Sequence, residues 1–111
     1  MERVPEASGG MNEFSDPRFR RKGSVKKGKS LNVQFLEDQN LNKSIYIGFT
    51  ATKKIGSAIK RNKAKRIMRE LARKVITKYG KINMYYVLIA KPQIFEIPFQ
   101  SQEIELIKLI A

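Results

Sequence analysis

Residues 57–79 read SAIKRNKAKRIMRELARKVITKY, and the spacing of the apolar positions in that stretch decides the fold. Ala64, Ile67, Met68, Leu71, Ala72, Val75, Ile76 and Tyr79 recur three and four apart, the period of a helix with one apolar side. Ser57, just after Gly56, stands where an N-cap belongs, because its hydroxyl can accept from a backbone N–H of the first turn. Gly80 is the expected stop. A helix with such a stripe has to lay it on another element, and the flanking segments supply one.

Upstream, Leu31, Val33 and Phe35 alternate with Asn32 and Gln34, the period-2 pattern of a half-buried strand. Residues 37–40, EDQN, are turn chemistry. Residues 44–51 form a second strand, with Ile45, Ile47 and Phe49 on one side and Tyr46, Gly48 and Thr50 on the other. Two strands joined by a short polar loop are expected to pair as an antiparallel hairpin. Downstream, residues 83–90, NMYYVLIA, make a continuous run of β-branched and aromatic residues, which suits a strand buried on both faces. Pro92 and Pro98 bracket a loop, and Ser101 is the expected cap of a closing helix carrying Ile104, Ile107 and Leu109.

Before the first of these strands, residues 19–29 read as a basic loop with a short strand at 24–27, and Pro17 limits a short helix at 11–16. Residues 1–10, with Pro5, Ser8, Gly9 and Gly10, read as a flexible tail. The expected order is α-β-β-β-α-β-α. This is an α+β fold, with helices packed on a small central sheet of about four strands, forming a single domain over residues 11–111. The long helix lies between two strands as in a βαβ unit, for which a right-handed crossover is the general rule.

A chain of 111 residues with a hydrophobic fraction of 41% can bury one modest core. Its charge is one-sided: 23 Lys and Arg against 10 Asp and Glu give +13, with a pI near 10.2. Seven basic residues and no acid lie between Pro17 and Leu36, and fourteen basic residues with Glu70 as the sole acid lie between Asn40 and Phe95. Segregated positive charge points to a polyanion, with nucleic acid ahead of an anionic membrane. The absence of Cys and His excludes disulfides, thiol nucleophiles, the usual zinc fingers and Ser-His or Cys-His catalytic pairs. No run reaches the roughly 18 apolar residues of a membrane span, and the N-terminus lacks the apolar core of a signal peptide, so a cytoplasmic protein is expected.

The long helix carries nine basic residues and one acid. At about 100° per residue, Arg66, Arg69 and Arg73 fall opposite the apolar stripe. Lys63 and Lys65 flank that row, and Lys60, Arg61 and Asn62 crowd the first turns. Cations near a helix N-terminus oppose its dipole, and like charges four apart repel by a few tenths of a kcal/mol per pair. A solvated face normally mixes both signs, whereas this one is suited to RNA phosphates, which the planar Arg fork grips in pairs. Asn62 offers an amide to a phosphate, a ribose or a base edge, or simply bonds locally at the helix start. Lys53 and Lys54 sit between the second strand and the helix entrance.

Phe14 and Phe19, in a basic context, are candidates to stack on unpaired bases or to cover the sheet. Gln34 and Tyr46, on the polar sides of their strands, line a groove or face water. The dispersed acids offer neither a general acid–base pair nor a metal-ligand pattern.

Residues 53–73, KKIGSAIKRNKAKRIMRELAR, resemble the signature of the bacterial ribonuclease P protein family, roughly K-K-x-G-x-A-x-x-R-N-R-x-K-R-x-x-R-E. The matches are Lys53, Lys54, Gly56, Ala58, Arg61, Asn62, Lys65, Arg66, Arg69 and Glu70. The family has Arg where this chain has Lys63, and usually Arg where it has Tyr46. Residues 47–50 (IGFT) and 87–92 (VLIAKP, ending in Lys91 and Pro92) resemble the family's flanking strands.

The resemblance implies a small basic subunit that assembles, one protein per RNA, with a large catalytic RNA and assists removal of the 5′ leader from precursor tRNA. The RNA subunit carries the chemistry and holds most of the Mg²⁺, and no cofactor is assigned to this chain. It also implies a left-handed βαβ crossover, against the general rule. Lys60, Arg61, Asn62, Lys63, Lys65, Arg66, Arg69 and Arg73 would face the catalytic RNA. Phe14, Phe19, Gln34, Tyr46, Lys53, Lys54 and Lys91 would border a cleft for the leader. Phe14 and Phe19 are five apart with Pro17 between them, whereas the family spaces its aromatics by four. A structural ribosomal protein would share the charge but not the signature. A peripheral membrane helix would want Trp or Phe where this stripe has Ala64 and Ala72.

Overall fold

The computed structural model describes residues 24–110. Their elements are strand β1 (Ser24–Lys27), strand β2 (Leu31–Glu37), strand β3 (Ile45–Thr50), helix α1 (Ala58–Leu71), strand β4 (Met84–Ala90) and helix α2 (Phe99–Ile110). Short 3₁₀ turns lie at Gln39–Leu41, Lys53–Ile55 and Pro92–Phe95. The α+β architecture with a four-stranded sheet agrees with the sequence pattern. The expected tail at 1–10, the helix at 11–16, Phe14 and Phe19 lie outside the described residues.

The sheet order is β1-β2-β4-β3, and it corrects the expected hairpin. β2 does not pair with β3. β4 lies between them, antiparallel to β2 (Val33 opposite Leu88) and parallel to β3 (Ile47 opposite Tyr86). The reason is burial: Tyr86, Val87, Leu88, Ile89 and Ala90 are all buried, so the most apolar strand takes the interior place where both its edges are hydrogen-bonded. Asn83 holds the three ends together. Its backbone N–H donates to Ser44 O (2.8 Å) and its carbonyl accepts from Asp38 N (2.8 Å). Its Oδ1 accepts from Lys43 N (2.8 Å) and its Nδ2 donates to Gln39 Oε1 (3.1 Å). Asn42, Lys43 and Asn83 all have positive φ, and Asn is among the residues that tolerate this best.

One sheet face packs on the helices. Leu31, Val33, Ile45, Ile47, Tyr86, Leu88 and Ala90 share a core with Ala64, Met68, Leu71, Ala72, Val75, Ile76, Leu106 and Ile110. Each fully buried aliphatic side chain contributes about 1.5–3 kcal/mol. That outweighs the few tenths per like-charged pair along α1, so packing holds the cationic helix in place. On the other face Leu36, Val87 and Ile89 form a second cluster with Tyr85 against it.

Ser57 caps α1 as expected, accepting from Lys60 N (3.3 Å). Beyond Leu71 the helix widens into a π-helical stretch, Ala72–Ile76, before a last turn at Thr77–Tyr79. Thr77 N–H bonds back to Ala72 O, and the Thr77 hydroxyl donates to Arg73 O. The extra residue in that turn rotates the last turn of the helix relative to α1: Ile76 is fully buried, whereas Tyr79, expected in the stripe, is 51% exposed. Gly80 ends the helix with an extended backbone (φ −69°) rather than a left-handed one. Glycine is needed there for close approach, since a Cβ would lie 2.5 Å from Ile76 O.

The closing helix begins at Phe99, so Ser101 lies inside its first turn and is not its cap; Pro98 O accepts from Gln102 N (3.1 Å) instead. Its buried residues are Gln102, Leu106 and Ile110. Ile107 and Leu109 are partly buried, and Ile104 faces solvent.

Candidate nucleic-acid interface

β3 is an edge strand, α1 starts just beyond its end, and the helix runs back over the sheet face, packed on both β3 and β4, before the chain enters β4. Two contacts fix which side of α1 faces which neighbour. The Arg69 guanidinium lies 5.7 Å from the centroid of the Phe49 ring on β3. On the other flank, Lys74 Nζ lies 5.3 Å from the Phe99 ring and 3.8 Å from Glu103, both on α2.

The eight helix residues singled out from sequence therefore fall into separate sets. Arg61, Lys65 and Arg69, four apart, run along the side toward the sheet edge. Asn62, Arg66 and Arg73 are outermost and exposed. Lys63 turns toward α2 and lines a groove of about 260 Å³ with Phe95 and Phe99, and Lys60 is exposed on the first turn beside Gly56. Arg69 thus leans toward Phe49 rather than standing squarely opposite the core.

Arg73 has an internal partner. Its Nη2 and Nε donate to the two oxygens of Glu70, the latter at 3.3 Å. The hydrogen bond from Arg73 holds the Glu70 carboxyl below its ordinary value, and the same bond raises Arg73. By contrast, the side chains of Arg61, Asn62, Lys63, Lys65 and Arg66 make no hydrogen bond or ion pair among the described residues. Arg61, Lys63, Lys65 and Arg66 thus form a cationic surface without a counter-charge among the described residues.

The candidates for the second region gather on and around the sheet face away from the helices. Gln34 and Tyr46 are both on that face, with alternation placing Val87, Ile89 and Tyr85 beside them. Tyr46 packs against Tyr85, with ring centroids 5.6 Å apart and planes tilted by 32°. Gln34 is buried, more than its polar strand side implied, and its Oε1 has no hydrogen-bond partner among the described residues. Lys53 and Lys54 are exposed on the turn after β3. Lys91 follows β4, and because β3 and β4 are parallel all three lie at one end of the sheet. Lys91 Nζ is bound to Gly28 O (2.9 Å), so it braces the turn between β1 and β2.

Tyr85, in the run expected to be a strand buried on both faces, is only partly buried, against the outer-face cluster. Its odd position, shared with Val87 and Ile89, marked the outer face, but the unbroken apolar run hid the alternation. Among the described residues no group of three or more Asp or Glu could hold a metal ion. No helix there is long and apolar enough to cross a membrane.

Comparison with known proteins agrees with this architecture and with the signature. The family model for Ribonuclease P matches residues 12–111. Over 48 residues the chain is 50% identical to the ribonuclease P protein component of Ruegeria pomeroyi, covering 43% of this chain and 38% of the relative. Over 59 residues it is 42% identical to that of Caulobacter vibrioides, covering 53% and 40%. The chain thus spans about two-fifths of the length of these relatives. In fold it is similar to the RNase P protein from Thermotoga maritima, with a TM-score of 0.73 at 21% identity, covering 90% of this chain and 93% of that one. It is likewise similar to the Staphylococcus aureus RNase P protein, with 0.71 at 19% identity, covering 94% and 90%. The chain belongs to the ribonuclease P protein family.

Proposed function

We propose that this chain is the protein subunit of a ribonuclease P ribonucleoprotein. It binds a large catalytic RNA through the outer side of α1 and holds the 5′ leader of precursor tRNA near the outer sheet face. Endonucleolytic hydrolysis by the RNA, with Mg²⁺ held mainly by that RNA, then frees the mature tRNA 5′ end. One protein serves each RNA. The observation that carries this reading is the set Arg61, Lys63, Lys65 and Arg66, cations with no counter-charge among the described residues, on a helix anchored by its opposite side.

On this reading the arginine forks take phosphate oxygens in pairs, and Asn62 adds an amide donor. Arg73 contributes its charge while Glu70 fixes its orientation. Tyr46 and Tyr85 offer a pair of aromatic rings to unpaired leader bases, with Lys53 and Lys54 at the sheet end to meet leader phosphates.

The test is reconstitution. With a bacterial ribonuclease P RNA, the protein is expected to accelerate precursor-tRNA cleavage at low Mg²⁺, and the protein alone is expected to cut nothing. Cleavage by the protein alone, or no effect on the RNA's activity, refutes the reading. With six to ten phosphate contacts, affinity for the RNA should fall about 10³–10⁵-fold between 50 and 200 mM salt. Arg61→Ala with Arg66→Ala should flatten that salt dependence by about two contacts and leave melting unchanged.

A further inference from the structure

The opposite edge of the sheet carries a second basic surface that the α1 reading does not use. β1 forms that edge, and the turn after it packs against α2. Between them lies a groove of about 730 Å³ to which Lys27, Lys29 and Lys108 all contribute, with Ile104 exposed beside them. All three lysines are exposed, and none makes an ion pair or a side-chain hydrogen bond among the described residues.

The one acid in the groove is already committed. Glu105 accepts from Lys29 N (2.9 Å), Ser30 N (3.1 Å) and Ser30 Oγ (2.8 Å). The turn is gripped from its other side by Lys91 Nζ on Gly28 O, and a Cβ on Gly28 would lie 2.6 Å from Glu105 Oε1. The lysines therefore stand on a backbone fixed before any ligand arrives, which lowers the ordering cost of binding.

We infer that this groove is a second RNA-binding site, taking the phosphodiester backbone of a segment other than the one on α1. The inference rests on the reading that the chain binds RNA. An acidic peptide is the weaker occupant, because protein interfaces are built on aromatic, Met and Arg anchors and are depleted in Lys, and this groove has no such anchor. Lysine acts on phosphate as a flexible point charge, with no base selectivity. Two strands separate β1 from β3, so the two basic edges lie about 14 Å apart at the 4.7–4.9 Å strand spacing. An RNA held at both must cross the sheet, or two segments must meet on it.

The experiment measures binding of the full chain to a bacterial ribonuclease P RNA, alone and with precursor tRNA present, across a salt series. Replacing Lys27, Lys29 and Lys108 together by Ala is expected to reduce the slope of log K against log[salt] by about two, from roughly 0.7 per single-strand contact, with unchanged melting. If the Ala variant melts lower, Gln at the same three positions replaces it. A reduced slope in the first arm assigns the segment to the ribonuclease P RNA, and one only in the second assigns it to the substrate. If the triple change leaves both slopes intact while Arg61→Ala with Arg66→Ala reduces them, this inference fails and the α1 reading stands. If the wild-type chain binds neither RNA, both fall. If the triple change instead abolishes binding of a polyglutamate peptide with RNA binding intact, the groove serves an acidic protein and the inference is overturned.

Discussion

Replacing Glu105 by Ala should unfasten the turn between β1 and β2. The carboxylate takes three donors, and they are not equivalent. Lys29 N–H is on an exposed residue and can turn to water. Ser30 is fully buried, so its N–H and its hydroxyl are both left without the acceptor they now have. An unsatisfied buried donor costs about 1–3 kcal/mol. Two of them give about 2–6 kcal/mol, with the lower end expected because Glu105 itself is only half-buried. At about 4–8 °C per kcal/mol for a domain of this size, melting should fall by at least about 8 °C, and Glu105→Gln, which keeps an acceptor, should lose less.

The pH dependence gives a second reading of the same contact. Burial pushes the Glu105 carboxyl up, but the hydrogen bonds from Lys29 N–H, Ser30 N–H and the Ser30 hydroxyl, with the Lys29 charge, outweigh it and leave it below the ordinary value of 4.5. A depressed carboxyl stabilises fully above its unfolded value and ceases to do so as pH falls through its folded one. Thermal melts followed by circular dichroism should therefore show a constant gap between wild type and Glu105→Ala from pH 6 to 8 that narrows below about pH 4.5. A gap under about 2 °C at pH 7, or one that does not narrow in acid, refutes the assignment.

Two further substitutions test how α1 is bounded. Ser57→Ala removes the N-cap acceptor for Lys60 N–H and should cost about 0.5–2 kcal/mol, read as lower helix stability in amide exchange of the first turn; unchanged protection would count against the cap. Gly80→Ala forces a methyl to 2.5 Å from Ile76 O and 2.8 Å from Ile76 Cγ2 on a backbone that itself accepts Ala. A loss of about 1–3 kcal/mol in urea unfolding is expected, and no loss would show that the approach is looser than described.

The helical stripe, the Ser57 cap and the buried final strand were legible because each is a local pattern with one physical solution. The strand order was not, because Glu37–Asn40 looks like a hairpin turn and only the competition for interior places tells β4 to enter between β2 and β3. Tyr79 was misread for a related reason: a period of 3.6 cannot anticipate the π turn that rotates it outward. At the site, the cations of α1 were visible as charge without acids. Their division between sheet edge, outer side and α2 depended on contacts to Phe49 and Phe99 that are distant in sequence. The lysines at 27, 29 and 108 were invisible as a group, because nothing in the chain order brings residue 108 to the first strand.

The place of β4 also bears on how the chain assembles as it is made. When residues up to 83 have left the ribosome, β2 and β3 exist but share no ladder, since every hydrogen-bonded partner of β3 and the inner edge of β2 lies in residues 84–90. Until then α1 has only half a surface on which to lay its apolar side. A growing chain thus carries its strongest positive charge on a helix that is not yet docked, and one late segment of seven residues closes two strand pairs at once.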